Sequence, residues 1–149
     1  LSYLEKVHPS PSLYPAEPKA DGRARVPEEY GDTKLVEAVG AIFFNRVVVK
    51  LLKQQPDEKR IALGLNELLP AALEYLETVA PTDGDAVVGG RFGIADIAIA
   101  SPIVNLEHSR EKIDAAKYPK LAAYVARVHA RPSFKACIEE ERKQFAAIL

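Results

Sequence analysis

The stretch GIADIAIASPIV, residues 93–104, constrains this chain more than any other, because a helix drawn through it has no polar face. Ile94, Ala95, Ile97, Ala98, Ile99 and Ala100 run right round the axis. Such a helix is stable only when other elements surround it, so the rest of the chain must supply them. Its start carries recognisable signals. With Gly93 as N-cap, Asp96 is N3, where a carboxylate reaches back to the cap's N–H, and Phe92 and Ile97 take the two positions of a hydrophobic staple. The glycines just before invite a phosphate-cradle reading. That reading needs a preceding strand and a Gly-Lys-Ser/Thr helix start, and the sequence has neither.

The surround is predicted to be helical. Prolines at 9, 11, 15 and 18 make residues 8–20 an extended linker. Before it, Leu1, Tyr3, Leu4 and Val7 read as the last two turns of a helix. A long helix is expected over about 21–53, with Asp21 as N-cap and Pro27 marking a kink or the true first turn. Leu35, Val39 and Ile42 form one apolar stripe on it; Phe44, Val48 and Leu51, with Tyr30, form a second on the opposite side. Two stripes require two covers. The next helix is expected to open at Gln55-Pro56-Asp57-Glu58, with Pro in its first turn, and to bend at Pro70. Its core face is Ile61, Leu65, Leu68, Leu69, Ala72, Leu73 and Leu76. After the loop PTDGDAVVGGR and the apolar helix, two more helices start near Tyr118-Pro119 and Pro132. In the last, Phe134, Ile138, Phe145 and Leu149 are candidates for packing, and Glu139 and Lys143 for an exposed i, i+4 pair. No alternating run makes a strand.

Composition excludes several classes of function. The 20 basic and 21 acidic residues are interspersed and leave a net charge of −1, without the positive field of a nucleic-acid binder. No apolar run reaches a membrane span, and LSYLEKVHPS lacks a signal peptide's basic and apolar segments. The single Cys137 allows no internal disulfide and suits a reducing compartment, so a cytoplasmic location is expected. A chain that starts with Leu and contains no Met is expected to be a fragment or trimmed product.

Candidate chemistry is sparse. His8, His108 and His129 lie in a linker or at helix ends, and none has a Cys or carboxylate at metal-ligand spacing, so no metal is expected. Surface or capping roles suit His8 and His129. His108 follows Asn105 by three positions, so the two are candidates to line a pocket, although a helix C-cap role fits His108 better. Cys137, between Ala136 and Ile138, reads as a buried thiol. Arg46 continues the Val39–Ile42 stripe and either snorkels, the favoured reading, or pairs with a carboxylate near a binding cleft. No catalytic grouping of Ser, His and an acid can be assembled.

These pieces resemble a known family. FGIADIAIASPIVNLEH followed by YPKLAAYVARVHARPSFK is similar to the C-terminal helical domain of cytosolic glutathione transferases, the bacterial members above all. YLEKVHPSPSLYP resembles the end of their thioredoxin-like domain plus the linker, and the helix with AIFFNR resembles the first helix of the helical domain. The buried-helix start departs from the family, where Ser or Thr stands in place of Gly93. The resemblance implies an all-α, glutathione-transferase C-terminal-like bundle of about five helices over 21–149, with 1–20 the end of a thioredoxin-like domain and a linker. It also implies that glutathione, as co-substrate, and the catalytic residue belong to the thioredoxin-like domain, so no catalytic residue is expected here. What this chain would contribute is a pocket wall for a small apolar electrophile and part of a homodimer surface. Tyr30, Phe44, Arg46, Val48, Asn105 and His108 are the candidate substrate-binding residues; Gly93 and Asp96 are the structural cap. Two readings compete: a non-catalytic interaction module and, more weakly, the effector domain of a regulator.

Overall fold

Proline sets where three of the helices begin. The computed structural model describes residues 2–146, which form six helices and no strand. These are α1 (Ser2–Val7), α2 (18–51), α3 (58–79), α4 (Ile94–His108), α5 (Pro119–His129) and α6 (Pro132–Ala146). Pro18, Pro119 and Pro132 open α2, α5 and α6, where the missing N–H would have had no partner in any case. The long helix therefore starts three residues earlier than expected. Glu17, not Asp21, is its N-cap, accepting from the Lys19 and Ala20 amides, and Pro27 is buried well inside the helix. Asp57 likewise caps α3 by accepting from Lys59 and Arg60 amides, which puts Pro56 outside the first turn.

Three wide π turns interrupt α2 and α3, at Gly31–Leu35, Phe44–Val48 and Gly64–Leu68. The third stands immediately before Pro70, loosening the ladder where proline removes a donor and crowds the preceding turn. α3 continues through it. Each wide turn in α2 also inserts an extra residue and rotates everything beyond it by about 100°. The first apolar stripe survives this as core: Leu35, Val39 and Ile42 are buried. The second does not stay on one face. Tyr30 is half-buried against Tyr75, their ring centroids 4.1 Å apart, whereas Phe44 and Leu51 are about half exposed.

α4 runs through the middle. Its Ile99, Ile103 and Leu106 meet Leu35 and Ile42 of α2, Leu73 and Leu76 of α3, and Leu121, Tyr124 and Val128 of α5 in one apolar cluster. Pro102 lies inside α4 and offers no N–H to the Ala98 carbonyl. Gly31 of α2 packs at that point, so close that a β-carbon there would lie 2.6 Å from the Ala98 oxygen. α6 is the least embedded of the five longer helices: among its described residues Ile138 alone is buried, with Phe134 and Phe145 half-buried. Glu139 pairs with Lys135 and Lys143 with Glu140, rather than with each other. Leu149 lies outside the described residues.

Candidate functional site

A cleft of about 650 Å³ opens between α2, α4 and α6. Val39 and Phe43 of α2, Ile97 and Pro102 of α4, and Phe134 and Ile138 of α6 give it apolar walls. Asp32, Asn105 and Glu141 supply polar groups at its margin. A volume of this size with apolar walls and few polar groups suits a small organic molecule. Phe92 and Ile97, the staple positions at the start of α4, both line it.

Two histidines tie the helices around the cleft. His108 is buried near the end of α4; its Nε2 lies 3.0 Å from the Glu141 carboxylate, and its ring packs tilted against Phe145 with centroids 4.6 Å apart. Glu141 is thereby held where it lines the cleft. His129 is not a surface residue: Nε2 faces the Ala100 carbonyl at 2.9 Å, Nδ1 lies 3.5 Å from Glu107, and the ring stacks on Phe134. The His129 contact, with help from Arg142, holds the Glu107 carboxyl below the usual carboxylate range. His8 is exposed.

At the other end of α4 lies a buried carboxylate. Asp96 is 1% exposed and accepts from the Gly93 amide (2.8 Å), the Val87 amide (2.8 Å) and the Tyr124 hydroxyl (2.7 Å). Burial pushes its carboxyl above the ordinary range, against the opposing pull of those hydrogen bonds. The same burial, with the Asp96 charge beside it, pushes the Tyr124 hydroxyl up as well. Gly93 is the cap, and there is a steric reason it is not Ser or Thr: a β-carbon there would lie 2.6 Å from the Leu13 carbonyl oxygen.

The six candidate binding residues do not converge. Asn105 lines the cleft. His108 and Arg46 instead line a smaller cavity of about 310 Å³, so Asn105 and His108 do not share a pocket. Arg46 is paired rather than snorkelling, donating to the Ser109 carbonyl (3.0 Å) and the Glu111 carboxylate (2.6 Å). Tyr30, Phe44 and Val48 line neither cavity. Cys137 is exposed and borders the cleft, because α6 turns that face away from the core. The sequence did not single out Phe43, offered Phe134 only for packing, and suggested a buried thiol at Cys137, which is instead exposed. The adjacent pair Phe43-Phe44 was the available signal, but the wide turn that begins at Phe44 decides which ring faces inward. Among the described residues no group of three or more His, Cys, Asp or Glu is placed to hold a metal, and no helix is long and apolar enough to cross a membrane.

The glutathione S-transferase C-terminal domain family matches residues 43–141, about two-thirds of the chain. The chain belongs to that family. Among solved structures it is similar to a glutathione S-transferase from Rhodospirillum rubrum F11 (TM-score 0.76, 23% identity), covering 89% of this chain and 59% of that one. It also resembles one from Methylobacterium radiotolerans in complex with glutathione sulfonate (TM-score 0.70, 28% identity), covering 92% of this chain and 62% of that one. A glutathione S-transferase domain-containing protein from Marinobacter aquaeolei VT8 is 29% identical (TM-score 0.70), with 89% of this chain and 64% of that one covered. The chain thus spans about three-fifths of the length of these relatives. None of the curated proteins compared matches it. The all-α fold and the family expected from the FGIADIAIASPIVNLEH segment are both found.

Proposed function

We propose that this chain acts as the helical domain of a glutathione transferase, joined to a thioredoxin-like domain that binds glutathione and carries the catalytic residue. One observation carries this reading beyond family membership: the apolar cleft between α2, α4 and α6. Its walls suit a small apolar electrophile, which burial holds beside a thiolate supplied from outside this chain. Asn105 is the candidate whose side chain meets that molecule, and His108 acts through Glu141. Arg46, tied to Glu111 and Ser109, holds the neighbouring wall. Phe44, Val48 and Leu51, with Tyr30, remain for the catalytic domain or a second subunit of a homodimer in the cytoplasm. In the reaction, the glutathione sulfur adds to the electrophilic carbon and the leaving group departs with its electron pair.

The test is glutathione conjugation by the native gene product with an apolar aryl halide, run beside the 149-residue chain alone. Conjugation by the native product and none by the chain alone is the expected result. Conjugation by the chain alone overturns the division of labour. A native product that neither conjugates nor binds glutathione favours the interaction-module reading.

A further inference from the structure

The proline-rich segment before α2 is fastened, not slack. The Leu13 carbonyl accepts from the Ile94 amide at 3.0 Å. The Arg91 guanidinium donates to the Ser12 carbonyl (2.6 Å) and reaches the Tyr14 carbonyl (3.3 Å). Tyr14 is buried, donates its hydroxyl to Glu28 (2.8 Å), and lies under the Arg25 guanidinium at 4.1 Å. On the other side, Glu5 of α1 holds the Ser12 hydroxyl and the Leu13 amide. A helix leaves its first amides without intrahelical partners. In α4 the Gly93 amide is answered by Asp96 and the Ile94 amide by the linker. The missing side chain at position 93 is what lets the Leu13 oxygen in.

We propose that residues 12–14 are a latch that completes the start of α4, so that linker seating and the order of the cleft wall at Phe92 and Ile97 rise and fall together. Gly93 trades a side-chain cap for a backbone cap delivered by the linker. Arg91 clamps that backbone from the neighbouring loop. Through Glu5 the same latch holds α1, whose Tyr3, Leu4 and Val7 are exposed, in one orientation on the helical domain. The position of α1 and the geometry of the cleft mouth are then two readouts of one contact.

Amide hydrogen exchange on the whole chain, resolved by residue, tests this with Arg91→Ala, Gly93→Ser and the double variant. In each single variant, exchange at Leu13 and Ile94 and at Ile97 is expected to rise together by roughly tenfold, the scale set by losing a charged hydrogen bond. Core amides of α5 should stay unchanged. In the double variant the rise should again be one common factor at all three amides, because the latch opens as a unit. Gly93→Ser is the sharper probe, since Ser is ordinarily as good a cap as Gly or better. Faster exchange at Leu13 with Ile94 and Ile97 unchanged overturns the proposal. So does an equal rise in α5, or clearly unequal rises at Leu13, Ile94 and Ile97 in the double variant. If Gly93→Ser does not fold, Arg91→Ala alone still decides between joint and separate loosening.

Discussion

Asp96 joins three parts of the chain with one carboxylate: the loop before α4 through Val87, the start of α4 through Gly93, and α5 through Tyr124. Removing it strands three donors, two of them backbone amides. Asp96→Ala should therefore cost about 3 kcal/mol, well above the roughly 1 kcal/mol expected for loss of a capping box alone. Tyr124→Phe keeps the ring in the core and removes one bond, at about 1 kcal/mol. Denaturant titration of both variants at neutral pH checks the ratio. If the two cost the same, the amide contacts contribute little and Asp96 serves mainly Tyr124. The Gly93–Asp96 box was legible because it is local, three residues apart. The Val87 and Tyr124 contacts, nine and 28 residues away, depend on how the loop and α5 fold back, which spacing does not encode.

Between helices, the informative contact is the one at Gly31. Two glycines of α2 make a controlled comparison. Gly31→Ala puts a β-carbon 2.6 Å from the Ala98 oxygen, a backbone atom, so α2 and α4 must part; about 1–3 kcal/mol is the expected loss. Gly22→Ala meets nothing within 4 Å in the same helix and should be neutral or stabilising, up to about 1 kcal/mol. Thermal unfolding of the pair separates helix packing from helix propensity. Farther along α4, Glu107 faces His129 of α5 and Arg142 of α6, which depress its pKa. A lowered carboxylate stabilises the fold above its unfolded pKa of about 4.5 and loses that stability as pH falls through the lower folded value. The stability difference between wild type and Glu107→Gln should thus be full at pH 6 and shrink on acidification. It should stay below about 1 kcal/mol because the pair is partly solvated. A constant difference across pH 3–6 counts against the pairing. The helices themselves were largely readable from apolar spacing and prolines. The wide turns were not: they come from how α2 and α3 pack, and they undid the assumption that Tyr30 and Phe44 share a face.

At the scale of the whole molecule, α2, α4 and α5 with most of α3 make a closed body, and α6 lies along it by one buried residue, Ile138, and by paired charges. The cleft exists because α6 is held off that body by Phe134, Phe145 and the His108–Glu141 contact rather than packed flush. Such a space is not written in any one helix, which is why Asn105 was found on its margin while Phe43, Phe134 and Cys137 were missed. Filling it from an exposed position tests its role without disturbing the core. Ser101 lines the cleft from α4, is exposed, and sits away from the Asp96 junction. Ser101→Phe should leave stability within about 0.5 kcal/mol, as surface substitutions usually do. It should also weaken binding of an uncharged naphthalene-type fluorescent probe at least several-fold, because the added ring takes up space the probe needs. Titration of the probe against both proteins reads the effect directly. Unchanged affinity with unchanged stability would place the probe elsewhere and leave the cleft as a gap between helices, with the electrophile wall to be sought on the exposed face of Phe44 and Leu51.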